Sequence, residues 1–257
     1  MSQNKSARGS GARSIALLKL IAEIGDDFTL TEIAERAQLP VSSVHRLLQP
    51  LLAAGLAERA GGQRYRPGGE FLRVARMLLQ NMDIGRIARP LLRELWDEWQ
   101  ETTVFCLYRP QAHKALILDI IPTPHPLRFV LEPMTEVFLP WGSLGHAILA
   151  HLTPDEREAA IKASPAIGPL AGGTLPSKRE MDRELAQIRK RGAAVYRSDR
   201  IDLAGVAAPV LKADGAVVGS IGISLPIIRF QARKAAGMIR AVRNAATRLG
   251  KLATETS

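Results

Sequence analysis

The sequence predicts an α+β chain in two parts, an N-terminal winged helix-turn-helix module joined by a helix to a C-terminal domain built on an antiparallel sheet. Three observations carry this. Residues 30–56, LTEIAERAQLPVSSVHRLLQPLLAAGL, show helical periodicity on both sides of a Gln-Leu-Pro break. The segment that follows, AERAGGQRYRPGG, holds two short runs able to pair across Gly61-Gly62. Beyond residue 103 the pattern changes to the runs TVFCLY, ALILDII, LRFVL, GVAAPVL and AVVGSIGISL, which read as strands partly segregated from helices.

Each element has its own reason. Residues 1–12 are polar and basic and are expected to form a disordered arm. Ile15, Leu17, Leu18, Leu20, Ile21 and Ile24 make a first helix ending at Gly25. Thr29 and Glu32 form a capping box that starts a second helix, whose Leu30, Ile33, Ala34 and Ala37 pack inward. Pro40 suits the first turn of the third helix. Val44, Leu47, Leu48, Leu51 and Leu52 give that helix a continuous apolar stripe, and Gly55 stops it. Pro50 cannot donate to the Arg46 carbonyl, so a kink is expected after Gln49. A further helix over Phe71 to about Asn81 leads away from this module, and a helix through Pro90 carries Leu91, Leu92, Leu95, Trp96 and Trp99 inward. Later helices are expected at Leu144–Leu152, Pro154–Ala163 with Thr153 as cap, Lys178–Arg191 with Ser177 as cap, and Gln231–Leu252. Ala213-Asp214-Gly215 should turn the last two strands into a hairpin.

The third helix is the clearest functional signal. Ser42, Ser43, His45, Arg46 and Gln49 lie off its apolar stripe and face out, which is how a recognition helix presents side chains to base edges. Arg59, Arg64 and Arg66 on the wing would meet phosphates, and Tyr65 would pack or touch the DNA backbone. Lys5, Arg8, Arg13 and Lys19 precede any acid, so Arg8 and Arg13 are candidates for an arm on DNA. The net charge of +10 favours a polyanionic partner, although the excess is not confined to the helix-turn-helix. A second acid-free run, from Arg229 to Lys251, reads as a solvated helix face.

Other classes are disfavoured. No run of eighteen apolar residues exists and the N-terminal segment has no apolar core, so neither a membrane span nor a signal peptide is expected. Cys106 is the only cysteine and reads as a buried structural thiol, which fits a cytoplasmic protein. The five histidines show no metal spacing and no Gly-rich phosphate loop appears, so neither metal nor cofactor is expected. His113, His125 and His151 read as surface loop or helix-end residues, and Asp119 as a carboxylate needing a structural partner such as an arginine. Gly142-Ser143-Leu144-Gly145-His146 lacks the spacing of a nucleophile elbow, so a hydrolytic enzyme is the weaker alternative. A DNA-bound factor without an effector is another.

Five segments in order resemble the IclR-type transcriptional regulators: LPVSSVHRLLQPLLAAGL with its wing, IARPLLRELWDEWQETTVFCLY, GSLGHAILA, LAQIRKRG and GVAAPVLKADGAVVGSIGISLP. The resemblance spans nearly the whole chain. It implies a GAF-like effector-binding domain, a double-stranded and palindromic DNA operator, a small-molecule effector, and a homodimer or dimer of dimers. The implied boundaries are the arm over 1–12, the winged helix-turn-helix over 13–68, a linker helix over 69–85 and the effector-binding domain over 86–257. Where the family has Pro-Leu before Thr-Ala-x-Gly-Lys-Ala, this chain has Phe138, then Gly142-Ser143, and His146 for the lysine. In members that bind small oxo-acids the contacts resemble Ser143, Leu144, an acidic position near Tyr196, a cysteine at Gly205, and serines at Gly222 and Ser224. Only Ser224 keeps its polar group there. Phe138, Trp141, Leu144 and Tyr196 therefore imply a larger, partly aromatic ligand such as an organic or aromatic acid. Ser143, His146, Arg197 and Ser224 are the candidate polar anchors, with His146 either lining the pocket or lying on the helix surface.

Overall fold

The computed structural model describes residues 10–81, 83–168 and 173–255. The chain divides between residues 82 and 83 into two units, each with its own core.

In the first unit, α1 (Ser10–Ile24) buries Leu17 and Ile21 and ends at Gly25, whose φ of +66° needs no Cβ. Residues 10–12, expected in the disordered arm, form its first turn. Once an apolar face has nucleated a helix, adding residues at its end costs little. Arg8 lies outside the described residues.

The capping box of α2 (Leu30–Ala37) is complete. The Glu32 N–H donates to Thr29 Oγ1 at 3.2 Å, and the Thr29 N–H donates to Glu32 Oε2 at 2.7 Å. Gln38, at φ +54°, makes the turn into α3 (Val41–Ala53). That helix is continuous past Gln49. It runs through Pro50 for another turn, because Leu47, Leu48 and Leu51 stay buried in one core with α1 and α2. The Gly55 N–H then donates to Leu52 O and the Leu56 N–H to Leu51 O, closing the helix in a Schellman motif.

The wing pairs β2 (Ala57–Arg59) with β3 (Arg64–Pro67) across Gly61 and Gly62, both at positive φ. A third strand, β1 (Phe28–Thr29), adds to β3. At two residues it is too short to show a period-two pattern. Gly68 passes so close to Gly55 that a Cβ would stand 2.1 Å from the Gly55 carbonyl oxygen. α4 (Gly69–Asn81) completes this unit.

The second unit begins with α5 (Asp83–Trp99), three residues before the expected start at 86. Residues expected in one linker helix over 69–85 therefore fall to α4 and to the first turn of α5. The unit continues with β4 (Thr102–Arg109), β5 (Lys114–Ile121), β6 (Glu136–Phe138), α6 (Gly142–Leu149), α7 (Pro154–Lys162), α8 (Lys178–Arg191), β7 (Ala194–Ser198), β8 (Leu203–Leu211), β9 (Val217–Leu225) and α9 (Ala232–Glu255). One antiparallel GAF-like sheet runs in the order β6-β5-β4-β9-β8-β7. Period two assigns its faces. Phe105, Val206 and Ile221 pack against α5 and α9, while Val104, Cys106, Ile117 and Ala207 pack with residues of α6, α7 and α8.

LRFVL, expected as a strand at 127–131, is irregular. Pro122, Pro124, Pro126 and Pro133 bracket it and deny a ladder its N–H donors. Two strands that the sequence did not suggest, β6 and β7, form the sheet edges. The predicted turn at Asp214-Gly215 is present, with the Ala216 N–H donating to Asp214 Oδ1 at 2.9 Å. Asp119 pairs with Arg89 of α5. Cys106 is fully buried, and burial pushes its thiol up to about 12.

Candidate functional site

Two surfaces carry candidate chemistry, one in each unit. On α3 the apolar stripe turns inward, so Ser42, His45, Arg46 and Gln49 are exposed together and Ser43 is half-buried beside them. Gln49 Nε2 lies 3.2 Å from His45 Nε2, which links two of these groups along one helical face. Pro50 sits at the end of this face and leaves it intact. Arg13 is exposed on α1.

The wing arginines are engaged within the unit. Arg64 Nη2 donates to the Asp27 carbonyl at 2.8 Å, and Arg66 Nε donates to Glu58 Oε1 at 2.7 Å. Arg59 lies 5.9 Å from the Tyr65 ring. Tyr65 itself is buried and stacks on Phe28, so it packs and does not project.

In the second unit a cavity opens between the sheet, the start of α6 and the irregular segment before β6. It has an outer compartment of about 360 Å³ and an inner one of about 90 Å³. Trp141, Tyr196 and Leu203 line both. Phe138 lines the outer one, and Ser143, Leu144, Gly205, Gly222 and Ser224 the inner. Eight of the ten residues named from the sequence thus meet around one space.

Arg197 and His146 do not line it. Arg197 follows Tyr196 on β7, so it points to the opposite face, where its guanidinium covers Phe230 at 5.4 Å. His146 lies behind the wall, with Nε2 on the Pro140 carbonyl at 2.8 Å and its ring edge-on to Tyr196. Burial lowers its pKa, and the bond to Pro140 only partly opposes this. With His146 so occupied, Ser143 has no base beside it among the described residues.

The inner compartment is polar at one end. Ser143 and Ser224 are nine-tenths buried, and neither hydroxyl has a hydrogen-bond partner among the described residues. Trp141 is the N-cap of α6 and supplies no side-chain acceptor, so the first N–H groups of the helix remain available next to Gly142 and Ser143. Gly205 makes room for this arrangement: a Cβ there would stand 2.5 Å from Ser143 Oγ.

Sequence reasoning missed the outer wall. Phe129 and Leu131 come from the segment expected as a strand, Glu132 and Thr135 from the residues that follow it, and Ile201 from the turn after β7. The proline bracket was the signal for the first. The segment is tied at both ends. Arg229 Nη1 donates to Leu127 O at 2.7 Å while its other nitrogens hold the buried Glu101 carboxylate at 2.6 and 2.7 Å. At the far end the Met134 N–H donates to Ile117 O, and the Ile117 N–H to Thr135 O.

Comparison with known proteins gives the family to which both units belong. The model of the IclR helix-turn-helix domain matches residues 10–61, and that of the bacterial transcriptional regulator IclR C-terminal domain matches residues 76–251. The chain belongs to the IclR family and is a DNA-binding transcriptional regulator. It is 30% identical over 246 residues to the HTH-type transcriptional regulator BhcR of Paracoccus denitrificans, covering 92% of this chain and 84% of that one. It is 29% identical over 219 residues to the transcriptional repressor IclR of Escherichia coli, covering 84% and 80%. Its fold is similar to an IclR homolog of Microbacterium hydrocarbonoxydans crystallised with 4-hydroxybenzoate, at a TM-score of 0.76 and 20% identity, over 95% of this chain and all of that one. No helix among the described residues is long and apolar enough to cross a membrane.

Proposed function

We propose that this chain is a sequence-specific regulator whose hold on its operator is modulated by a small organic acid, most naturally an aromatic one. The observation that carries this is the cavity. An apolar body of ring size fits against Trp141, Tyr196, Phe129 and Leu131, and a carboxylate fits the free N–H groups of α6 with the unpartnered hydroxyls of Ser143 and Ser224. With Arg197 and His146 outside the lining, the helix end is the remaining anchor for an anion. The 4-hydroxybenzoate bound by the Microbacterium homolog supports the class.

On DNA, Arg46 and Ser43 are read as contacts from α3, with Ser42, His45 and Gln49 beside them and Arg13 near the backbone. Arg64 and Arg66 are exposed and each holds its partner through one nitrogen, which leaves the other donors of the guanidinium for phosphates. One winged helix reads few base pairs, so the working form is a homodimer or dimer of dimers. Its palindromic operator would hold half-sites about one helical turn apart or a multiple of that. The exposed Leu72, Val74 and Met77 on α4 support self-association. A regulator of this kind works in the cytoplasm, on the operator itself.

A thermal-shift screen of aromatic acids and small oxo-acids, followed by gel shift on upstream DNA with and without the hit, tests the reading. Aromatic acids should raise the melting temperature, and Trp141→Ala and Ser224→Ala should remove the rise. If both variants stay folded and keep the full response, the effector site is elsewhere.

A further inference from the structure

We propose that Glu132 reads the far end of the effector, so that the cavity selects an aromatic acid carrying a hydrogen-bond donor, amino or hydroxyl, opposite its carboxylate. This rests on the effector reading above and deepens it.

The cavity is electrically polar along its length. At the inner end stand the uncapped N–H groups of α6, with the partial positive charge of a helix start. No lysine, arginine or histidine is among the described residues that line either compartment. The charged groups that do line it are Glu132 and Glu136, both on the outer compartment. Glu136 is already neutralised, since Lys114 Nζ lies 2.5 Å and Arg109 Nη1 3.1 Å from its carboxylate, which holds its pKa below the usual range. The Glu132 carboxylate has no hydrogen bond or ion pair among the described residues, its backbone carbonyl alone accepting from the Thr135 N–H at 3.4 Å. Thr135 adds a second polar group beside it.

Between the two ends the wall is aromatic and aliphatic, so a ligand spanning them needs an apolar body. The backbone of the segment bearing Glu132 is anchored by Arg229 at Leu127 and by Ile117 at Met134 and Thr135, which keeps the residue at the outer compartment. A ligand donor meeting it makes a charge-assisted hydrogen bond. A second ligand carboxylate there meets like charge with no cation to offset it, and is rejected.

The test uses the full chain and two ligand series, cinnamate and benzoate, each unsubstituted or with a 4-amino, 4-hydroxy or 4-carboxy group, measured by calorimetry at fixed pH and salt. In the wild type the amino and hydroxy members should bind about tenfold tighter than the parent, and the 4-carboxy member weaker than the parent. Glu132→Gln should level the series, and Glu132→Lys should favour the 4-carboxy member. Both variants change an exposed side chain, so an unchanged melting temperature without ligand certifies the fold. A series that ranks identically in wild type and both variants overturns the role of Glu132 while leaving the effector site standing. If no member of either series binds the wild type, the effector reading fails and this inference with it.

Discussion

The two surfaces proposed to meet this chain's partners are assembled in opposite ways. The base-reading candidates sit within eight residues of one helix, from Ser42 to Gln49, and one apolar stripe orients them all. The cavity draws on β4, β5, the segment before β6, β6 itself, α6, β7, β8 and β9, from Val104 to Ser224. A helix of known phase assigns every side chain to a face by counting. A cavity gathered from so many segments does so only when each strand's parity and neighbours are known. Local assembly also means that one core substitution can remove the first surface whole, while the second should lose single contacts one at a time.

That contrast can be broken most forcefully at Leu48, which is fully buried on the inner face of α3. Leu48→Ala should cost about 2–5 kcal/mol in the first unit and abolish operator binding. All three tryptophans, Trp96, Trp99 and Trp141, lie in the second unit. Their fluorescence melt should therefore move far less than the circular-dichroism melt, and coincident shifts would mean that the units do not unfold separately.

Next in size is Arg229→Gln, which strips the buried Glu101 carboxylate of its donors and frees the Leu127 carbonyl. A loss of about 1.5–3 kcal/mol should appear in the urea transition followed by tryptophan fluorescence. Operator affinity should stay at the wild-type value, and weaker DNA binding would contradict the separation.

Arg46→Ala should weaken operator binding by about 1–3 kcal/mol at fixed salt, with both melts unchanged. A binding loss equal on operator and random DNA would sharpen the assignment to a phosphate contact rather than a base contact.

The smallest effect is titration. Burial lowers the pKa of His146 and of His151 below the ordinary 6.5. A histidine less basic in the folded than in the unfolded chain supports stability above the unfolded pKa. That support fades as the pH falls through the folded value. Urea midpoints should therefore drop between pH 7.5 and 5.5, and His146→Gln should flatten the fall. An identical pH profile in the variant would show that His146 does not titrate on unfolding.

The same contrast explains what was legible in the sequence. The capping box at Thr29 and the N-caps at Thr153 and Ser177 depend on residues close in sequence, and all three are present, the latter two as full capping boxes. The outward set on α3 followed from its apolar stripe. In the cavity, Trp141, Ser143, Gly205 and Ser224 came from family resemblance, and geometry was needed to separate them from Arg197. Tyr196 and Arg197 are neighbours on β7, and a strand cannot send both to one face. His146 failed for a related reason: four residues into α6, it turns back to the Pro140 carbonyl. The wall from Phe129 to Thr135 was hidden because an apolar run with prolines at its ends looks like a strand until its missing donors are counted.

Gly205 and Ser143 are coupled positions. The serine hydroxyl occupies the space that a side chain at 205 would need, 2.5 Å from where the first carbon would stand. A lineage acquiring a cysteine at 205 has first to turn or discard that hydroxyl, and a lineage restoring the hydroxyl has first to return to glycine. Each position sets whether a change at the other is tolerated. The order of substitutions, and not merely their sum, then decides which ligands a descendant of this regulator can come to recognise.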